Sequence, residues 1–201
     1  MRKLYLDIDD TYVDTEEYLR KVLESNGIEC DPFESVWEIY FRGIGEDLFR
    51  EVLSDYFVIP KKIGAEDCLK ILETEFEIVY CTCYMFEEER LAKLRMSEEE
   101  GREIIFCRYF DKSCVDMEDN VFVDDTPKHL VNSNLKSKNQ YLMYNPYALD
   151  TEGYKYLANF KGEVVMDWFS LCDKIMEVHV DDELRDSICS RVSKCVEKCR
   201  V

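Results

Sequence analysis

The sequence is short of the residues that several common chemistries require. It has two histidines, His129 and His179, and no set of Ser, His and Asp that reads as a hydrolytic triad. It has no CxxC pair, and Cys189, Cys195 and Cys199 match no standard zinc spacing. The ten cysteines are therefore read as reduced thiols. No GxxxxGK[ST] loop and no complete GxGxxG occurs, and Gly43-Ile44-Gly45 alone is no dinucleotide signature. No run approaches ~20 consecutive apolar residues, so no membrane span is predicted. The opening Met1-Arg2-Lys3-Leu4-Tyr5 has no long apolar stretch of the signal-peptide kind, and the expectation is a cytoplasmic protein. Basic residues are outnumbered 26 to 44, for a formal net charge of -18. That balance excludes a grip on long nucleic acid, which needs a basic footprint. Long flexible linkers, internal repeats and low-complexity tracts are also missing.

What is present is a chain built for a packed core. Hydrophobic residues make up 46% and aromatics 13% of 201 residues, enough for one domain or one domain with a small insert. The chain is organised around its first stretch. Leu4-Tyr5-Leu6 runs into Asp7-Ile8-Asp9-Asp10-Thr11 before a helical pattern starts near Thr15. An apolar run ending in clustered carboxylates reads as a buried strand that delivers acids to its C-terminal tip. Carboxylates at i and i+2 point to opposite faces while the strand lasts. Both serve one site only if Asp7 sits at the tip and Asp9 in the loop beyond it. Acids gathered at one point repel unless a cation or protons compensate them, and an all-oxygen site suits Mg²⁺.

Five further strands are predicted, at 76–82, 104–107, 120–125, 140–144 and 162–166. The helical patterns between them are at 64–74, 86–101, from Thr126 and from Asp167, and another covers the tail from Asp181 to Val201. Strands alternating with helices imply α/β architecture with a doubly wound parallel sheet. Residues 14–60 read as a helical cap inserted after the first strand, with Asn26-Gly27 ending one helix and Asp31-Pro32 opening the next. The division expected is a core of 1–13 and 61–201 and a cap of 14–60. The tail, with Val192 and Val196, is read as docking on the core or mediating a homodimer. The Glu-rich stretches at 87–89 and 98–100 read as solvated helix faces.

Three strands end in groups with chemistry: Asp7 and Asp9, Thr82, and Asp124-Asp125. A parallel sheet places such tips along one edge, where open α/β sheets bind ligands. Lys112 lies in a loop on that edge. Alone, Asp7 and Asp9 would pass as turn-forming acids, and Thr82 as a strand-end hydroxyl.

Together, DxDxT after a first strand, a Thr ending the second, a Lys, and Asp-Asp after an apolar strand resemble the haloacid dehalogenase superfamily of phosphohydrolases. The likeness covers about Lys3 to Asp125. Ile78-Val79-Tyr80-Cys81-Thr82, Arg108 through Lys112, Val121-Phe122-Val123-Asp124-Asp125 and the Trp168 helix are similar to the 5′(3′)-deoxyribonucleotidase group. That group usually has Gly where this chain has Asp10, and often Ser-Pro where it has Cys83-Tyr84.

The resemblance implies a Mg²⁺-dependent phosphomonoesterase. Asp7 is the expected nucleophile, forming an aspartyl-phosphate, and Asp9 the expected acid–base, which also gives its backbone carbonyl to the metal. Thr82 and Lys112 are expected to bind phosphate. Asp125 is the preferred further metal ligand, with Asp124 orienting Lys112 or a water. His129 is assigned no catalysis. The partner expected is a small-molecule phosphate ester, a (deoxy)nucleoside monophosphate first. Phe33, Trp37, Tyr40 and Phe41 of the insert either pack its core or stack on a nucleobase, with Phe33, Trp37 and Tyr40 the substrate candidates. The alternatives are a phosphatase of the same fold acting on a phosphoprotein or a nucleic-acid phosphate end, and a non-catalytic metal-binding protein that retains the acids.

Overall fold

The computed structural model describes residues 1–107, 111–148 and 155–180. The expected tail helix from Asp181, and Arg108 of the lysine loop, lie outside these residues. Six strands form one sheet in the order β3-β2-β1-β4-β5-β6, and every pairing is parallel. They are β1 (Arg2–Leu6), β2 (Phe76–Cys83), β3 (Glu103–Cys107), β4 (Val121–Asp124), β5 (Gln140–Met143) and β6 (Glu163–Val165). The near-continuous apolar runs follow from burial on both faces. Leu4 and Leu6 of β1 enter one hydrophobic cluster and Tyr5 the other, as alternation of side chains across a strand demands. This is an α/β, doubly wound sheet.

The chain winds from β1 to β2 and β3 on one side, then returns to β4 and continues to β5 and β6 on the other. The winding reverses between β1 and β4, and this is where such sheets open a crevice at their C-terminal ends. Leu6 is in register with Val123, so the residues that follow, Asp7 and Asp124, emerge side by side.

Three helices lie between β1 and the next core helix: α1 (Thr15–Ser25), α2 (Val36–Phe41) and α3 (Glu46–Leu53). The two ends of this segment are tied together. The Lys62 amide donates to the Tyr12 carbonyl at 2.9 Å, and the Asp14 amide to the Pro60 carbonyl at 2.8 Å. Its apolar residues, including Leu19, Ile39 and Phe49, join the same cluster as the sheet's Leu4 and Leu6.

Two expectations within it shift. Helix α2 starts at Val36, not at Pro32. Asp31 holds its own turn by accepting from the Phe33 amide at 2.8 Å, and Ser35 caps the helix by accepting from the Trp37 amide at 3.2 Å. The pattern from Glu46 to Tyr56 predicts a helix continuing towards Pro60, but α3 ends at Leu53, which leaves the Tyr56 ring free to turn inward.

Further helices among the described residues are α4 (Ala65–Leu72), α5 (Glu87–Glu100), α6 (Pro127–Asn132) and α7 (Trp168–His179). Asp167 and Ser170 close a capping box at the start of α7. The buried Trp168 indole donates to the Thr11 carbonyl at 2.9 Å, fastening α7 to the loop after β1. Among the described residues, no helix is long and apolar enough to cross a membrane.

At the C-terminal end of α7, Arg2 donates to His179 Nδ1 at 3.1 Å, and His179 Nε2 lies 3.2 Å from the Tyr141 hydroxyl. Arginine only donates, so Nδ1 must accept and the neutral ring is selected. Burial, then the Arg2 charge, pushes His179 from 6.5 down to about 4. Between those values the unfolded chain binds a proton that the folded one refuses, so stability falls as pH falls. Urea unfolding should show the stability advantage of wild type over His179→Gln shrinking from pH 6.5 towards pH 4.

Candidate active site

The site begins where β1 stops. The Asp7 amide extends the ladder by donating to the Val123 carbonyl at 3.0 Å. The chain then curls, and the amides of Tyr12 and Val13 both donate to the Ile8 carbonyl. Asp10 takes the left-handed conformation at the turn, with φ of 54°. Few residues other than glycine accept that geometry, and Asp is among those that do. Its carboxyl accepts from the Glu16 amide at 2.8 Å, while Asp14, the residue preceding α1, makes no side-chain cap. Asp10 therefore caps α1 from across the turn. Burial, then the charge of Asp125, holds its carboxyl well above the usual range.

The ligand atoms of Asp7, Asp124 and Asp125 all lie within 4.8 Å of one another, and all three residues are buried. Lys112 spans two of them, at 2.6 Å from Asp7 Oδ1 and 2.6 Å from Asp124 Oδ2. Asp124 also accepts from the Thr126 amide at 2.8 Å and lies 3.1 Å from His129 Nδ1. Burial opposes its charge, but Lys112 and His129 outweigh that and hold Asp124 down to about 2. His129 is raised in turn: burial works against its charge, and Asp124 overcomes it. Asp125 has no such cation. It accepts from the Asn145 amide group at 2.7 Å and from the Thr126 hydroxyl at 3.3 Å. Burial and the neighbouring acids push it up to about 7, and burial raises Asp7 to about 6 despite Lys112.

Three buried acids with incomplete compensation are what a hard divalent cation resolves. Asp7 and Asp125, whose ligand atoms lie within 4.8 Å of each other, are the pair that would hold such an ion. The donor set fits Mg²⁺. Asp125 is free to turn an oxygen to it, while Asp124 is committed to Lys112 and His129.

Asp9 is placed differently. Its carboxylate lies outside that cluster and is engaged on both oxygens. Oδ1 accepts from the Thr15 hydroxyl at 2.8 Å and the Tyr56 hydroxyl at 2.7 Å, and Oδ2 pairs with Lys93 at 2.5 Å. Burial resists its charge, but Lys93 and the two hydroxyls outweigh it and keep Asp9 below its usual range. Thr82 is fully buried, and its hydroxyl donates to the Cys83 carbonyl and accepts from Lys93 at 3.2 Å.

A cavity of ≈ 430 Å³ opens above Asp7, Asp9, Lys112 and Asp125. Its walls come from the insert, from Cys83-Tyr84-Met85 after β2, and from the segment after β5. Trp37, Phe41, Tyr84, Tyr147 and Tyr156 make those walls strongly aromatic. Phe33, 94% exposed, and Tyr40 are not among the wall residues, and Tyr40 packs on Phe49 with ring centroids 5.0 Å apart. Phe41 takes the place expected for them.

Sequence reasoning passed over Lys93, Tyr56, Glu89 and Asn145, and it gave His129 no part in catalysis. The first and third carried a signal. Glu89, Lys93, Met96 and Glu100 recur at spacings of three and four, one face of α5. That face is not solvated: Glu89 and Lys93 are buried, and Glu100 accepts from the Tyr12 hydroxyl and pairs with Lys61.

No family model and no curated protein matches the chain. Solved structures do. A structure described as a haloacid dehalogenase-like hydrolase from Burkholderia xenovorans LB400 is 18% identical, with a TM-score of 0.62 over 90% of this chain and 100% of the other. One described as a β-phosphoglucomutase from Thermotoga maritima is 15% identical, with a TM-score of 0.54 over 89% of this chain and 100% of the other. At these identities the likeness establishes the fold, which is that of haloacid dehalogenase-like hydrolases.

Two outcomes follow from the geometry. Asn145→Ala should weaken Mn²⁺ binding, read by calorimetric titration, by about 10–100-fold, because it frees a carboxylate that an amide now orients. Asp10→Ala should lower the urea midpoint more than Asp10→Gly. Both lose a cap worth about 0.5–2 kcal/mol, but only alanine retains left-handed strain, about 1–2 kcal/mol that glycine escapes.

Proposed function

We propose that this chain is a Mg²⁺-dependent phosphomonoesterase that hydrolyses a small phosphorylated metabolite, a (deoxy)nucleoside monophosphate first among them. The observation that supports it is the convergence of Asp7, Lys112, Asp124 and Asp125 at the sheet's switch point, beneath an aromatic-walled cavity. The cavity volume of ≈ 430 Å³ lies in the range of small-molecule sites. Its walls offer planar rings for a base to stack on, a contact of about 1–3 kcal/mol.

In this reading Asp7 attacks phosphorus with the oxygen that Lys112 leaves free. An Asp7–phosphorus bond forms as the ester bond breaks, and Asp9 relays to the departing alkoxide the proton that the phosphate monoanion brings. Water then attacks the aspartyl-phosphate, Asp9 takes its proton, and inorganic phosphate leaves with Asp7 restored. Lys112 holds the nucleophile in place and offsets the approach of two negative groups. Asp7, Asp125 and the Asp9 backbone carbonyl would hold Mg²⁺, which would supply charge relief to the phosphoryl oxygens. The enclosing insert speaks against a phosphoprotein or a nucleic-acid end, which needs an open approach to the phosphate.

A panel of nucleoside monophosphates, sugar phosphates and phosphopeptides, assayed for released phosphate with Mg²⁺ and with chelator, tests this. Release should need Mg²⁺ and be fastest with a nucleotide. Asp7→Asn should abolish it, and Asp9→Asn should cost about 10²–10⁴-fold. Release from no ester, or turnover that survives Asp7→Asn, defeats the proposal.

A further inference from the structure

A lysine with no exposed surface is rare, because stripping the ammonium of water costs several kcal/mol. Lys93 is such a residue, at 0% exposure, and the roles given above do not use it. An ammonium has three protons to donate. The three nearest oxygens are Asp9 Oδ2 at 2.5 Å, Glu89 Oε1 at 2.7 Å and the Cys83 carbonyl at 2.7 Å, with Thr82 Oγ1 a fourth at 3.2 Å. Glu89 lies one turn earlier on α5 and also accepts from the Met85 amide at 2.8 Å. A purely structural lysine could close on Glu89 and a carbonyl. This one reaches on to Asp9 and Thr82, one on each of the two adjacent strand ends.

The second hold on Asp9 comes from the insert. The Tyr56 hydroxyl is 2.7 Å from Asp9 and 3.3 Å from Glu89, and it has one proton, so the shorter contact to Asp9 takes it. The Tyr56 ring lies 5.2 Å from the Lys93 ammonium, within cation–π range. Tyr56 follows α3, just before the insert returns to the core at Pro60.

We infer that Lys93 is a positioning residue that holds the Asp9 carboxylate against the end of β2, and that Tyr56 ties this arrangement to the insert. Lys112 serves the nucleophile, and Lys93 serves the acid–base. The inference rests on the proposed phosphatase reading, in which Asp9 moves protons. Displacing the insert withdraws the Tyr56 proton from Asp9, so the placement of the insert and the aim of the acid–base are one variable.

The test separates the two chemical steps in the full-length protein with Mg²⁺. With p-nitrophenyl phosphate the leaving aryloxide needs no proton: the Asp7–phosphorus bond forms, the phosphorus–aryl oxygen bond breaks, and the electron pair leaves with the aryloxide. Only the second step, in which water attacks phosphorus and Asp9 takes its proton, needs Asp9. Lys93→Met should therefore release one p-nitrophenolate per site in a burst. Steady turnover should then be slowed by about 10²–10⁴-fold, with covalent phosphoenzyme trapped on acid quenching. With a nucleoside monophosphate, a poor leaving group, both steps should slow and no burst should appear. Tyr56→Phe should shift both substrates in the same sense by a smaller factor, and it keeps the test decisive if Lys93→Met does not fold. Wild-type rates in both variants overturn the inference. So does an equal loss on both esters without trapped phosphoenzyme, the result a merely structural lysine gives. If wild type hydrolyses neither ester, the phosphatase reading itself falls, and the inference with it.

Discussion

Neighbouring parallel strands β1 and β4 end at the same level, and each ends in acid. That single constraint brings Asp7, Asp124 and Asp125 within 4.8 Å in a buried place, and the surrounding structure answers it. A carboxylate taken out of water is costly unless it is paired. Lys112 answers for Asp7 and Asp124, His129 adds to Asp124, and the Asn145 amide reaches Asp125. The compensation is uneven. It leaves Asp124 firmly ionised and Asp125 raised, so the acid with the weakest partners is the one left to face a cation.

Asp9 belongs to a second arrangement built on different elements. Its partners come from the start of α1, from the end of the insert and from α5. The insert is thereby joined to the sheet in three ways: by the paired residues near Tyr12 and Lys62, by the shared apolar cluster, and by polar contacts to Asp9 and Asp10. Only the last connects it to the acids of the site. Lining the cavity and holding the Asp9 carboxylate are therefore properties of one segment.

The sheet was legible because β1, β2 and β4 are apolar runs broken by acids or a hydroxyl, and parallel pairing leaves few ways to arrange them. The Asp7, Lys112, Asp124, Asp125 grouping was legible for the same reason, since strand tips carry an address that sequence order reveals. What was not legible depends on side chains meeting across elements. Pro32 and Ser35 both signal a helix start, and only the Asp31 turn decides between them. Phe33 and Phe41 look alike in sequence, yet one stands in solvent and the other on the cavity wall. In α5, charge hid burial. A helix with Glu87-Glu88-Glu89 and Glu98-Glu99-Glu100 reads as wet, but Glu89 and Lys93 pair with each other in the interior and Glu100 pairs with Lys61 and Arg102.

Asp10 shows how one departure from a familiar pattern acquires a physical reason. The turn after β1 needs a left-handed residue, for which glycine is the cheapest solution. Asp pays part of that strain and returns a hydrogen bond to the Glu16 amide. The bond also restrains Glu16, whose carboxylate accepts from the Val36 amide and the Ser35 hydroxyl at the start of α2. From Asp10 the chain of contacts therefore runs through α1 to the helix that carries Trp37 and Phe41 to the cavity wall. Burial, then the charge of Asp125, disfavours a charge on Asp10. Asp10 thus acts on the site by fixing where the insert begins, so a change there should reach the aromatic wall of the cavity before it reaches the cluster of Asp7, Asp124 and Asp125.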